Sequence, residues 1–121
     1  MSSRYDLYIE QGSTKNFQIQ FLNDDETPIN LTGYTFSIEI RPTVNSTTVY
    51  DTLTSANGRI TSTPLEGKIL IKFPDTVTTE YTFLTGEACE SVYDLEFKIG
   101  TTTTRELEGN VTISPEVTRI T

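Results

Sequence analysis

The chain contains no histidine, no tryptophan, one cysteine and one methionine. Each absence removes a class of chemistry. Without histidine there is no Ser-His-Asp or Cys-His nucleophilic system, and the commonest metal ligand is missing. A zinc site needs Cys or His in numbers that this chain lacks. Cys89 has no second cysteine to bridge to, so no intrachain disulfide forms, which fits a reducing compartment or a stability drawn from the core and from neighbours. It lies near Glu87 and Glu90 with no positive group to lower its pKa, and reads as a small packed residue. Helix formers are also sparse, with alanine only at Ala56 and Ala88. The longest helix-compatible stretch, residues 76–84, has room for a turn or two. Glycines stand singly at turn signals, so no loop of them can cradle a phosphate.

Basic charge is scarce as well: Lys and Arg number 9 against 17 Asp and Glu, giving a net charge of −8 and a pI near 4.4. Phosphate backbones and anionic membrane surfaces attract clustered Lys and Arg, so neither nucleic acid nor membrane is an expected partner. The acidity is expected to maintain solubility or to meet a basic surface on another protein. No apolar run approaches the roughly 20 residues that span a bilayer. The start, Met-Ser-Ser-Arg-Tyr-Asp, lacks the basic-then-apolar signal pattern, so the chain is expected to be made in the cytoplasm. Sequons at Asn30, Asn45 and Asn110 carry little weight without such a signal.

What the chain has instead is threonine, β-branched residues and aromatics, which suit a pleated, half-buried surface. Its 121 residues suffice for one domain over residues 1–121 with a two-layer core. Period-two alternation is strict in two places. Tyr93, Leu95, Phe97 and Ile99 share one face, with Asp94, Glu96 and Lys98 on the other; Leu107, Gly109, Val111 and Ile113 share a face opposite Glu106, Glu108, Asn110 and Thr112. The run from Thr101 to Thr104 is expected to be the hairpin loop between them. Weaker alternations mark strands at Tyr5, Leu7 and Ile9, at Phe17, Ile19 and Phe21, at Tyr34 to Ile40, around Ile60, and at Ile69, Ile71 and Phe73. Residues 47–53 are expected to form an outer strand with Val49 inward and Tyr50 exposed. Asn57-Gly58 reads as a tight hairpin turn, and residues 75–86 as a connector between sheets with Tyr81, Phe83 or Leu84 plugging the core. The pattern predicts an all-β fold of about seven or eight strands in two facing antiparallel sheets, a sandwich or small barrel.

Carboxylates are the one remaining route to catalysis. Glu39, Asp94 and Glu96 lie on strand faces that alternate with the core, where solvated charge belongs, and no Asp-Thr-Gly turn is present. No enzyme and no cofactor is expected. Asp24-Asp25-Glu26 reads as an acidic hairpin tip, with a Ca²⁺ site as the alternative. Tyr8, Tyr50 and Tyr81 are the aromatics expected to face outward, as protein-interface residues, as a sugar platform, or as plain surface.

The succession Tyr5-Asp-Leu-Tyr-Ile-Glu-Gln-Gly12, Phe17-x-Ile-x-Phe21, Ile29-Asn-Leu-Thr-Gly-Tyr34, Ile38-Glu-Ile-Arg41, Gly67-Lys-Ile-x-Ile71, Tyr93-Asp-Leu-Glu96 and Leu107-Glu-Gly-Asn-Val-x-Ile-x-Pro-Glu-Val-Thr118 resembles small virion structural proteins of tailed bacteriophages. These include tail- and baseplate-associated proteins and the N-terminal domain of upper baseplate proteins. The resemblance implies an immunoglobulin-like β-sandwich that works as a non-enzymatic assembly adaptor in the tail or baseplate, among other virion proteins and in several copies. Because the chain stops soon after Pro115, the longer receptor-binding portion of such proteins is not expected. The alternatives are a carbohydrate- or host-surface-binding sandwich and a head-decoration or neck protein. Residues 1–4 and 116–121 are expected either to add strands to neighbouring subunits or to fray.

Overall fold

A computed structural model describes residues 3–81 and 89–116. The alternating segments become strands β1 (Ser3–Arg4), β2 (Leu7–Glu10), β3 (Lys15–Gln20), β4 (Thr35–Arg41), β5 (Asp51–Thr54), β6 (Ile60–Thr63), β7 (Lys68–Phe73), β8 (Cys89–Ile99) and β9 (Thr102–Ser114). A 3₁₀ turn at Pro64–Glu66 separates β6 from β7, and a single helical turn, α1 (Asp75–Thr78), follows β7. The larger sheet runs β1-β9-β8-β4-β5, with β2 also on β9; the smaller runs β3-β7-β6. Inner faces of both sheets meet in one core, the all-β immunoglobulin-like sandwich, in which the first strand lies beside the last.

Side-chain alternation places the core. On β4, Phe36, Ile38 and Ile40 are buried while Thr35, Ser37 and Glu39 are exposed. Tyr93, Leu95 and Phe97 of β8 and Leu107, Val111 and Ile113 of β9 face them from the same sheet, with Ile69, Ile71 and Phe73 of β7 opposite. At one end Phe97 gathers three rings edge-on, Phe21 at 4.9 Å, Phe36 at 5.0 Å and Tyr34 at 5.8 Å between centroids. Such edge-to-face pairs add to the burial of large apolar area. Leu31, in the long connection from β3 to β4, closes that end, and its N–H donates to the Pro64 carbonyl at 3.0 Å.

The sheet is not wholly antiparallel. β1 and β2 both run parallel to β9 in one register, Ser3 opposite Leu107 and Leu7 opposite Val111. They are halves of one interrupted strand, so the nine segments fill eight strand positions. The interruption has a visible cause. Tyr5 donates its N–H to Glu108 at 2.9 Å, but its carbonyl turns inward over Gly109 and accepts the Tyr93 hydroxyl. The Asp6 carboxylate takes over as acceptor for the Asn110 N–H at 2.9 Å. A Cβ on Gly109 would collide with the Tyr5 carbonyl and the Asp6 carboxylate, so only glycine permits this approach.

Several local expectations are corrected. The Asn57-Gly58 turn forms, with Gly58 at φ 79°, but it carries the chain from the larger sheet to the smaller and joins no hairpin. Turn chemistry fixes a bend; the pairing partner is chosen by distant contacts. β8 and β9 are joined at Gly100 and Thr101, and Thr102 to Thr104 belong to the strand, paired with Ile99 to Phe97. Ile99 is 40% exposed, because the sheet there extends past the core. The outer strand covers Asp51–Thr54 only, and the residues before it are reversed: Val49 is 38% exposed while Tyr50 packs against the core. Ser3 and Arg4, expected to reach a neighbour or fray, pair with their own β9. Phe83, Leu84, and residues 1–2 and 117–121 of the two ends lie outside the described residues.

Candidate functional site

The outer face of the larger sheet carries the densest charge. In register across β4, β8, β9 and β1 stand Glu39, Asp94, Glu108 and Arg4. Like charges directly opposite one another on a sheet repel. Arginines offset this: Arg41 bonds Glu39 at 2.7 Å and the Ser46 carbonyl at 2.9 Å, and Arg105 lies 3.8 Å from Asp94. Arg105 reaches this face through a β-bulge that plain alternation does not reveal. Leu95 pairs with Leu107 but Glu96 pairs with Arg105, leaving Glu106 as the extra residue. The face is concave, about 540 Å³, with Thr52 and Thr54 along one side and Val44, 80% exposed, at the rim.

The three tyrosines predicted to face outward do not meet. Tyr8 is 55% exposed on β2, opposite Thr112. Tyr50 is half-buried just before β5, its N–H donating to the Ile40 carbonyl at 2.6 Å. Tyr50 packs against the core with its hydroxyl at Cys89 of β8, whereas Tyr8 points away from the core, so the two rings present no shared surface. Tyr81 is a correction: it is 6% exposed, and its hydroxyl donates to Asp51 Oδ2 at 2.6 Å. Burial, and then the Asp51 charge beside it, push the Tyr81 hydroxyl well above its ordinary pKa. No aromatic platform is assembled from these residues.

Tyr81 instead belongs to a clamp between the sheets that the sequence does not announce. Arg59 grips Asp51 with both terminal nitrogens, at 3.2 and 2.8 Å, and donates Nε to the Lys72 carbonyl at 2.9 Å. Its guanidinium also lies 5.5 Å from the Phe73 ring centroid. The pair is nearly buried, 13% and 12% exposed, where removing one partner is costly because the other charge is stranded. Opposite charges flanking the Asn57-Gly58 turn were the only sequence hint.

Cys89 is partly buried beside Tyr50. Burial raises the thiol above its ordinary value, the Tyr50 hydroxyl acts in the opposite sense, and Glu90 raises it further. In the Asp24-Asp25-Glu26 turn, Asp25 Oδ1 accepts from the Thr27 N–H at 3.1 Å and from the Thr27 hydroxyl, which holds its carboxyl below the usual value. Among the described residues, no three His, Cys, Asp or Glu side chains converge as a metal site, and no helix is long and apolar enough to cross a membrane. No protein-family model matches the sequence, and comparison with curated proteins finds no match.

Proposed function

We propose that this chain is a non-enzymatic structural component of a tailed-bacteriophage virion, an assembly adaptor of the tail or baseplate that acts through protein–protein interfaces. The observation that carries the reading is where the resembling motifs fall. Tyr5 to Gly12 and Leu107 to Pro115, the motifs farthest apart in the chain, supply the two partners of the closing strand pair. Tyr93-Asp-Leu-Glu96 supplies both the hydroxyl that holds Tyr5 and the acid at the centre of the outer face. The motifs therefore build a body and its surfaces. The acidic, concave face suits a basic surface on a neighbouring virion protein.

The test is quantitative mass spectrometry of purified particles from the phage that encodes the chain. The protein is expected in the virion at a fixed copy number, in tail or baseplate fractions. Its absence there, with particles still infectious and complete, overturns the reading. The carbohydrate-binding alternative is less favoured because Tyr81 is buried and Tyr50 packs against the core, leaving Tyr8 alone of the three exposed on the outer face. A glycan array read with the wild type and with Tyr8→Ala checks it, and saturable sugar binding lost in the variant would promote it.

A further inference from the structure

Sheet edges expose unpaired backbone groups and are where one chain adds strands to another. Among the described residues, the edges are β1/β2 and β5 in the larger sheet and β3 and β6 in the smaller. β5 and β6 are short, 4 residues each. The β1/β2 edge is broken at Tyr5 and Asp6 and carries Arg4, Asp6 and Glu10. β3 differs from all of them. It has 6 residues in unbroken register with β7, and neither proline nor charge from Asn16 to Gln20.

Its outward-facing groups can be assigned. The Phe21 N–H donates to Gly67 at 2.7 Å, on the β7 side. Antiparallel alternation then turns the backbone of Lys15, Phe17 and Ile19 toward β7, and that of Asn16, Gln18 and Gln20 outward. The following hairpin leaves this edge open. Ile29 donates to the Phe21 carbonyl at 3.0 Å and crowds Gly67, so the returning arm stands on the β7 side. Leu22, 46% exposed, continues the outward row.

We propose that β3 is the docking edge for a second copy of this chain, the two β3 strands pairing antiparallel about a twofold axis through Ile19. In this register Gln18 bonds Gln20 of the second copy and Asn16 bonds Leu22, while Ile19 meets Ile19 and Phe17 meets Phe21. Every pair is neutral. Tyr5, 44% exposed with its ring edge-on to Phe17 at 6.3 Å, widens the apolar flank beside the edge.

Charge identifies the partner as a second copy. Lys15 stands at one end of β3, and among the described residues it has no ion pair; its ammonium lies 5.5 Å from the Phe17 ring centroid. The other end leads into Asp24-Asp25-Glu26. Antiparallel pairing sets each Lys15 opposite Asn23 of the second copy, beside that acidic turn, twice in the dimer. Parallel pairing would set lysine by lysine and acid by acid, which repel. Such a self-complementary contact is isologous and closes at two chains. A strand-edge contact falls below the roughly 1,000 Å² of a stable interface, so the association is weak, with a Kd of about 0.1 mM. It does not depend on the virion reading.

Sedimentation of the full chain from about 10 μM to about 1 mM is the test. The expected result is a reversible monomer–dimer equilibrium with slowed amide exchange at Asn16, Gln18 and Gln20 in the dimer. Gln18→Pro removes only an outward N–H, so the fold should persist while association weakens at least ~10-fold. Lys15→Glu should weaken it about 5-fold, and adding Asp24→Lys should restore it. A chain that stays monomeric at about 1 mM overturns the proposal. So does a dimer indifferent to the charge variants, which also decide the matter if Gln18→Pro fails to fold.

Discussion

At Gly109 one missing side chain organises the closing strand. The Tyr5 carbonyl occupies the space above it, and Tyr93 reaches across to donate its hydroxyl. Gly109→Ala should cost about 2–3 kcal/mol by overpacking, and Tyr93→Phe about 1–2 kcal/mol by leaving a carbonyl unsatisfied. Urea unfolding of both variants checks this; a Gly109→Ala protein as stable as wild type would mean that β1 and β2 are not held there. Glu26 makes the opposite case. Its φ of 69° is left-handed, a conformation that favours glycine. Glu26→Gly should stabilise by about 0.5–1 kcal/mol, net of the entropy glycine adds to the unfolded chain, measurable as a rise in the urea midpoint.

At the level of elements, the outer faces of β4, β8 and β9 set Glu39, Asp94 and Glu108 side by side. Asp94→Asn relieves two repulsions and gives up one long, partly exposed contact to Arg105. It should stabilise by about 0.5 kcal/mol at low salt, and the gain should vanish near 1 M salt, where screening is complete within a few ångströms. Thermal unfolding at the two ionic strengths reads it out. The alternation of β8 and β9 was legible in the sequence because side-chain direction depends only on the parity of neighbouring residues. The bulge at Glu106 was not, since either phase of the Thr-rich start of β9 places polar residues outward. The same limit explains Asn57-Gly58: a local turn signal, a non-local choice of sheet. The acidic candidates on these faces were readable; the arginines that partner them in space were only partly so.

For the molecule as a whole, two buried tyrosines tie distant parts together, Tyr81 to β5 and Tyr93 to the first strand. Burial is the first cause that raises both hydroxyls above the ordinary 10.0. Below pH 10 both states hold these protons and stability is indifferent to them; above it the unfolded chain ionises first, binds fewer protons than the native state, and is favoured. Stability should therefore fall above pH 10 by up to about 2.7 kcal/mol per pH unit for the two groups together. Denaturant titrations from pH 8 to 11 check this, with a Tyr81→Phe, Tyr93→Phe double variant expected to show a shallower decline. An unchanged slope in that variant would assign the alkaline loss to other groups.

Composition and the parity between neighbours were enough for the all-β class, the core faces of β4, β7, β8 and β9, and the lack of histidine and paired cysteine. Long-range packing was needed for the first strand to close in parallel on the last, for Tyr81 to turn inward to Asp51, and for β3 to keep an edge that is open among the described residues. Each of those rests on groups far apart in the chain, such as Tyr81 and Asp51 or Tyr5 and Tyr93, and pairing at such separations follows from the packing of the whole sandwich rather than from any local pattern.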